Sequence, residues 1–261
     1  MSVVELDDRE LLAHAFRRNT GAHVYELGDL DDFEWRHTRW FGWDSGRRIE
    51  NVVLLYTQPE VPVLLAIADT PRSSLPTLLS EIVCSLPSVL YTHASASLLG
   101  TLARRYEIVD AAPHFKLALQ DPDAIARHGA AVELLTRDDL EEITAFYETA
   151  YPGTWFAARM LETGRYVGIR EGGHLACIAG VHVYSPTWSV AALGNVATAP
   201  ELRGKGLARG ACAALCRLLL DDGIETIALN VRADNAAAIR SYSRLGFGPV
   251  AEYMEASLIA R

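Results

Sequence analysis

The strongest chemical pattern in the sequence is the hexapeptide at residues 203–208, Arg-Gly-Lys-Gly-Leu-Ala, which lies between an apolar run and a long amphipathic segment. The first four N–H groups of a helix have no partner within the helix, and this end also carries the positive end of the helix dipole. Glycines let the backbone approach a phosphate without a Cβ clash, while Arg203 and Lys205 add positive charge. The hexapeptide therefore predicts a site for a phosphate or pyrophosphate.

Two common phosphate loops do not fit these residues. A nucleotide-hydrolase loop requires Ser or Thr after its lysine, but here Gly206 follows, and Ala199 stands where the first glycine belongs. A dinucleotide fingerprint requires a third glycine where the sequence has Arg209. The remaining pattern is Arg or Gln, two residues, Gly, one residue, and Gly or Ala, which Arg203, Gly206 and Ala208 satisfy.

This loop resembles the acyl-CoA loop of the GCN5-related N-acetyltransferase (GNAT) superfamily. Residues 230–247 are similar to a second signature of that superfamily, in which Asn235 precedes a helix that carries Tyr242 and ends in Gly-Phe. The resemblance covers residues 130–258, and its details are most similar to the FR47-like bacterial group. For residues 1–125 it extends only to a degenerate copy of the same fold.

The resemblance implies acetyl-CoA as co-substrate and a primary amine as acceptor. It also implies two groups of cofactor-binding residues. The pantetheine arm is expected along one strand and against Asn235, and the pyrophosphate on the loop; the strand residues are Val196, Ala197 and Thr198, and the loop residues are Arg203, Gly204, Lys205, Gly206, Leu207, Ala208 and Arg209.

Acyl transfer to an amine requires a base for the amine, a donor for the developing oxyanion and an acid for the thiolate. By resemblance, Tyr242 is the acid, although a tyrosine packed on the sheet would give the same pattern. Many family members carry glutamate where this sequence has Asn195, which cannot accept a proton. His182, Glu148 or a chain of water molecules remain as alternatives.

Aromatic residues at 147–160 occupy the region where the family builds its acceptor site. Tyr151, Trp155 and Phe156 could stack on a substrate there. Aromatic residues at helical spacing more often lie in the core, so packing is the competing interpretation.

The apolar periodicity predicts the elements that hold these residues. In the second half it predicts helices over 137–150, 155–163, 203–222 and 235–245, and strands over 130–136, 165–171, 174–184, 188–198, 226–232 and 250–258. In the first half it predicts strands over 51–57, 61–69, 88–94 and 114–120, and helices over 74–86 and 94–106.

Both halves end in the same order of strand, strand, helix, strand, helix and strand, which indicates a weak internal duplication. We therefore predict an α/β protein of tandem GNAT-like domains, each with a mixed, mostly antiparallel twisted sheet flanked by helices. Residues 1–125 form a degenerate domain and residues 126–261 the catalytic domain. At 71–81 the first copy lacks glycine, so it should lack the CoA loop.

The net charge is −9, with 18 acidic and 11 basic residues in 1–125 against 15 and 13 in 126–261. This distribution argues against a nucleic-acid partner and favours a cationic acceptor. The first residues lack a secretory signal and no run is long enough to cross a membrane, so a cytoplasmic protein without a membrane partner is expected. The four cysteines lack metal or disulfide spacing, so no metal is expected.

We therefore expect an acyl-CoA-dependent N-acyltransferase. A non-catalytic acyl-CoA sensor is the alternative, because Asn195 removes the usual base, and a partner-binding scaffold is a third. The acceptor can be a small-molecule or a peptide amine, and a homodimer is compatible with the sequence.

Overall fold

A computed structural model describes residues 3–43, 49, 51–70 and 73–261. Pro71 and Arg72, at the start of the first copy of the loop region, lie outside these residues. The elements are α/β, with mixed, mostly antiparallel sheet and helices, as the sequence predicts. No helix within the described ranges is long and apolar enough to cross a membrane.

The contacts within the chain divide it into two compact units. The first unit comprises Met1–Lys116, Val231–Asp234 and Pro249–Arg261, and the second comprises Leu117–Asn230 and Asn235–Gly248. The predicted division was 1–125 and 126–261. The difference arises mainly because the last strand, which we predicted in the second domain, pairs with a strand of the first unit.

The strands of the first unit are ordered β1-β2-β3-β4-β5-β12-β6. Their bounds are β1 Val3–Leu6, β2 Thr38–Trp43, β3 Val52–Tyr56, β4 Val63–Ala66, β5 Val89–Ala94, β6 Tyr106–Leu119 and β12 Phe247–Ala260. The helices are α1 Arg9–Phe16, α2 Val24–Gly28, α3 Asp32–Trp35, α4 Leu75–Ile82 and α5 Leu99–Leu102, with 3-10 turns at Arg17–Asn19, Val83–Ser85 and Ala96–Leu98. Only β4 and β5 run parallel among the pairs described in this unit.

The strands of the second unit are ordered β11-β10-β9-β8-β7. Their bounds are β7 Glu133–Leu134, β8 Val167–Glu171, β9 His174–Ser185, β10 Val190–Thr198 and β11 Thr226–Arg232. The helices are α6 Asp123–Ala126, α7 Leu140–Ala150, α8 Leu207–Asp221 and α9 Ala236–Arg244, with 3-10 turns at Arg137–Asp139, Ala158–Thr163 and Pro200–Leu202. β10 runs parallel to β11 and antiparallel to β9.

The order of elements that indicated a duplication occurs twice along the chain, as β3-β4-α4-β5-α5-β6 and as β9-β10-α8-β11-α9-β12, although β12 belongs to the first unit. Two predicted helices differ from the structure. The helix predicted over 94–106 is limited to the 3-10 turn at Ala96–Leu98 and α5, because the fully buried Tyr106 begins β6. The helix over 155–163 is a 3-10 turn that begins only at Ala158. β1, β2 and helices α1–α3 were not predicted.

The core of the first unit includes a residue from the far end of the chain. Leu258 of β12 is fully buried among Val53, Leu64, Leu79 and Leu90 and their neighbours. It pairs with Leu90, while the next residue, Ile259, is 46% exposed opposite Val89. The alternating pattern of a strand thus places adjacent residues in opposite environments.

We expect Leu258→Ala to destabilise the protein by about 2–5 kcal/mol, because it leaves a cavity in a packed core. Ile259→Ala, on the same strand but facing outward, should cost less than about 1 kcal/mol. Urea denaturation of both variants measures the difference. Equal, small losses would show that β12 contributes little to the first core.

Candidate active site

A β-bulge interrupts β10 in the second unit. Gly194 pairs with Gly180 and Ala197 pairs with Ile178, so Asn195 and Val196 together face a single residue of β9. Asn195 adopts φ of +53°, a left-handed conformation that asparagine tolerates better than most residues. The bulge therefore redirects the backbone at Asn195 and Val196.

The other edge of β10 separates from β11 at the same place. The parallel pairing between these strands runs from Val190 with Thr226 to Leu193 with Leu229 and is not described beyond that pair. Residues 194–198 therefore have an edge that β11 does not cover, with Val196 and Thr198 partly exposed. Such an edge can receive an extended ligand through backbone hydrogen bonds.

The start of α8 follows β10 after a short turn. Gly206 precedes the helix with φ of +86°, and Gly204 has φ of +81°. Within the described part of the chain, no hydrogen bond engages the N–H groups of residues 204–209. A Cβ at Gly204 would meet open space. The turn therefore offers unpaired donors to an anion, as the sequence predicts.

The cationic side chains of this turn are placed differently from one another. Lys205 is exposed, and the Arg209 guanidinium lies 3.1 Å from where a Cβ on Gly206 would be. Arg203 instead donates to the carbonyls of Ala150 at 2.9 Å and Thr198 at 3.3 Å. Arg203 therefore ties the end of α7 to the end of β10, and its contact with a pyrophosphate stays a prediction.

In the corresponding region of the first unit, several backbone N–H groups are hydrogen-bonded within the chain itself. Ser95 accepts from the N–H of Ala68 through its hydroxyl and donates its own N–H to Ala66, which bridges β4 and β5 beyond their last pair. At the start of α4, the N–H of Leu75 is bonded to the Ser73 hydroxyl, and Pro76 has no N–H. At these positions, groups of the chain itself thus occupy the gap between β4 and β5 and the N–H of Leu75.

Asn195 is the centre of a buried hydrogen-bond network. Its carbonyl accepts from the Tyr147 hydroxyl at 2.7 Å. Its side-chain oxygen accepts from the Thr154 hydroxyl at 2.9 Å and lies 3.0 Å from Nε2 of His182. Its side-chain nitrogen donates to the Tyr166 hydroxyl at 2.9 Å. With 3% exposure, Asn195 is fixed by partners on every side.

His182 lies directly against the bulge because two glycines make room. A Cβ on Gly194 would come within 2.3 Å of the His182 ring, and one on Gly180 within 2.2 Å of the Tyr166 ring. His182 is partly exposed and its ring centroid is 6.0 Å from that of Trp155. Glu148, the other predicted substitute base, is exposed on α7. Of the two, the described contacts place His182 at the bulge.

Tyr242 lies on α9, half-buried, with its ring 6.0 Å from that of Phe247. Burial raises the pKa of Tyr242 well above its ordinary value, and the nearby Cys212 and Tyr151 add to the shift. The phenol therefore keeps its proton at neutral pH and can act as a donor. Asn235 caps α9, since its side-chain oxygen accepts from the N–H of Ala238 at 3.1 Å.

The three aromatic candidates for acceptor binding separate into two groups. The Phe156 ring packs 5.3 Å from that of Tyr147 and 5.7 Å from that of Tyr166, which is the packing alternative. Tyr151 is 48% exposed and Trp155 is 39% exposed, and the Trp155 ring lies near that of His182.

Sequence reasoning missed Tyr147, Thr154 and Tyr166, which support the bulge. The glycines at 180 and 194 within strands were the available signal, because glycine inside a strand often marks a bulge or a close approach. The ring that packs against each glycine, however, lies on another part of the chain, so the glycines alone do not identify it.

Comparisons with known proteins agree with this geometry. Residues 130–247 match the model of the acetyltransferase (GNAT) family. A segment of 96 residues is 35% identical to mycothiol acetyltransferase of Tsukamurella paurometabola, covering 36% of this chain and 33% of that protein. The matched segment therefore spans about a third of the length of this relative.

Two solved structures are similar over nearly the whole chain. A Drosophila protein aligns with a TM-score of 0.72 at 14% identity, covering 98% of each chain. A tandem GNAT protein from the clavulanic acid pathway aligns with a TM-score of 0.58 at 17% identity, covering 98% of this chain and 97% of the other. At this identity the likeness concerns the fold, and it confirms the predicted tandem GNAT-like class.

We expect Gly206→Val to reduce affinity for acetyl-CoA by roughly tenfold or more, because the side chain enters the turn that holds the free N–H groups. Gly223→Val is the matched control, since Gly223 has φ of +83° and open space around it at the other end of α8. Both substitutions strain the backbone, but only the first touches the turn.

Calorimetry on the folded variants measures affinity and stoichiometry. The wild type should bind one acetyl-CoA per chain. In Gly206→Val this one site should be weakened, and no other site on the chain should bind acetyl-CoA. Unchanged affinity in Gly206→Val, or two sites in the wild type, would contradict the assignment.

Proposed function

We propose that this chain, whose residues 130–247 match the model of the acetyltransferase (GNAT) family, transfers an acetyl group from acetyl-CoA to a primary amine. The observation that carries the proposal is that two neighbouring backbone regions lack their usual partners: the edge of β10 beyond Leu193, which does not pair with β11, and the free N–H groups before α8. One suits the extended amide groups of a pantetheine arm, and the other suits a pyrophosphate.

The residues that would hold acetyl-CoA follow from these two regions. Val196, Ala197 and Thr198 offer backbone groups to the pantetheine arm. The turn at 203–209 offers N–H groups with the side chains of Lys205 and Arg209 beside them. Open space at Gly204 supports close approach of a phosphate.

The chemistry proposed here joins the amine nitrogen to the acyl carbon and breaks the carbon–sulfur bond. His182 accepts the proton that the amine loses on attack, and backbone N–H groups at the bulge donate to the carbonyl oxygen as charge develops there. Tyr242 donates its proton to the departing thiolate. The products are an amide and free coenzyme A.

His182 is favoured as the base because it lies at the bulge, where the acyl carbonyl is expected, whereas Glu148 is exposed on α7. Exposed Tyr151 and Trp155 support an acceptor whose amine is attached to an apolar or planar group.

A thiol-release screen tests the proposed activity directly. Saturating acetyl-CoA is combined with amino acids, polyamines, aminoglycosides, peptides and the substrate of the mycothiol acetyltransferase to which the chain is similar. Release of free thiol that depends on an amine, and that Gly206→Val abolishes, is the expected result. If calorimetry shows binding of acetyl-CoA and no amine in the panel releases thiol, the protein is an acyl-CoA sensor.

We expect Tyr242→Phe to lower turnover by roughly 10² to 10⁴, with little change in affinity for acetyl-CoA, because the ring remains and only the proton is lost. The pKa of Tyr242 is raised, so wild-type Tyr242 should stay protonated between about pH 6 and 9. The defect should shrink toward high pH, where thiolate needs an acid less.

Tyr184→Phe is the control, because it removes a phenol on β9 that donates to Asp222 at the end of α8. Steady-state kinetics of both variants across this pH range provides the measurement. Full activity of Tyr242→Phe throughout would make Tyr242 a packing residue.

A further inference from the structure

Three side chains in the second unit form a continuous hydrogen-bond chain. Tyr166 is bonded to the Asn195 amide, and the same amide reaches His182 on the neighbouring strand. This inference rests on the proposed function, because it concerns the state in which His182 meets the amine.

The orientation of the Asn195 amide follows from the single proton of the Tyr166 hydroxyl. That hydroxyl lies 3.1 Å from the carbonyl of Val181 and 3.3 Å from the Met160 sulfur, and both of these groups only accept. The hydroxyl therefore donates to one of them, the carbonyl being the stronger acceptor, and accepts from Asn195, whose nitrogen lies 2.9 Å away. The Met160 sulfur, a weak acceptor, lies 3.6 Å from the same nitrogen and agrees with this orientation.

The oxygen of the amide consequently faces the Thr154 hydroxyl and His182. A carbonyl oxygen only accepts, so Nε2 of His182 must carry a hydrogen to bond it at 3.0 Å. In a neutral imidazole the second nitrogen, Nδ1, then carries the lone pair.

The surroundings hold Asn195 in this orientation. Its backbone has φ of +53° in the bulge, and its side-chain oxygen accepts from the Thr154 hydroxyl. Tyr166 is fully buried, and Gly180 and Gly194 let the Tyr166 and His182 rings lie flat against the strands. A flipped amide would place its nitrogen toward His182 and its oxygen toward a hydroxyl already committed to Val181.

We propose that Tyr166 and Asn195 are positioning residues that hold His182 as the Nε2-protonated tautomer, so that Nδ1 is the atom that takes the proton of the amine. When Nδ1 accepts that proton, the Nε2–H bond to Asn195 becomes charge-assisted and stronger. Tyr166 and Asn195 thus determine which nitrogen of His182 reacts, without contacting the reacting atoms themselves.

Nitrogen NMR of the histidine rings tests the tautomer without requiring activity. The His182 signal among the eight histidines is assigned by its loss in His182→Gln. The wild type should show His182 protonated on Nε2. Tyr166→Phe should shift His182 toward a mixture or toward the Nδ1-protonated form, because the freed amide can turn its nitrogen to the ring.

Tyr147→Phe is the matched control for this experiment. It removes an equally buried hydroxyl bonded to the same residue, but to its backbone carbonyl, so the tautomer should not change. In kinetics, Tyr166→Phe should lower kcat by up to roughly 10²-fold and leave the KM for acetyl-CoA within about twofold. A wild-type His182 protonated on Nδ1, or a tautomer that Tyr166→Phe leaves unchanged, would overturn the proposal.

Asn195→Asp provides a second variant of the same shape, and aspartate also tolerates a positive φ. Its carboxylate should keep the Nε2–H form and raise the NMR-titrated pKa of His182 by about one unit or more. The phenols of Tyr166 and Tyr147 also face residue 195, and both remain neutral in this range because burial raises their pKa. If the pKa of His182 does not rise in this variant, the direct contact between residue 195 and His182 is contradicted. Absence of thiol release with the expected tautomer intact would instead count against the proposed function alone.

Discussion

The hydrogen bonding of one strand edge controls the second unit. β10 is paired with β11 only as far as Leu193, and the bulge at Asn195 and Val196 redirects the backbone just beyond that point. Backbone donors and acceptors that are buried without partners are costly, so the groups of this edge need water or a ligand as partners. The uncovered edge and the buried network around Asn195 both lie at the bulge of β10.

The two units differ in how completely their backbone groups are satisfied. In the first unit, Ser95 closes the gap between β4 and β5, and Ser73 and Pro76 remove the donors at the start of α4. In the second unit, the glycines at 204 and 206 leave the equivalent donors free. The same order of elements thus leaves free N–H groups before the helix in the second unit, whereas in the first unit the hydroxyls of Ser73 and Ser95 bond to backbone N–H groups.

The last residues of the chain complete the first unit on both faces of its sheet. Leu258 enters the apolar core, whereas Glu255 faces His93 across the strand pair and accepts from the Tyr91 hydroxyl. Burial lowers the pKa of His93 to about 4, so the ring is neutral beside this carboxylate at ordinary pH. Residues 89–94 and 254–259 pair across more than 150 positions of sequence, so the sheet of the first unit contains a strand that is remote in sequence.

Features that depend on neighbours along the chain could be predicted from the sequence. These include the turn at 203–208, the helix that follows it and the helix that begins after Asn235, because unpaired N–H groups and glycine conformations are local properties. Local periodicity also gave most strands of the second unit and the duplicated order. The contacts across the sheet determine that Asn195 forms a bulge, that His182 lies against it, that Phe156 packs against Tyr147 and Tyr166, and that Leu258 belongs to the first unit. Each of these depends on which strands and side chains meet across the sheet, and a residue's own neighbours in sequence carry little information about that pairing.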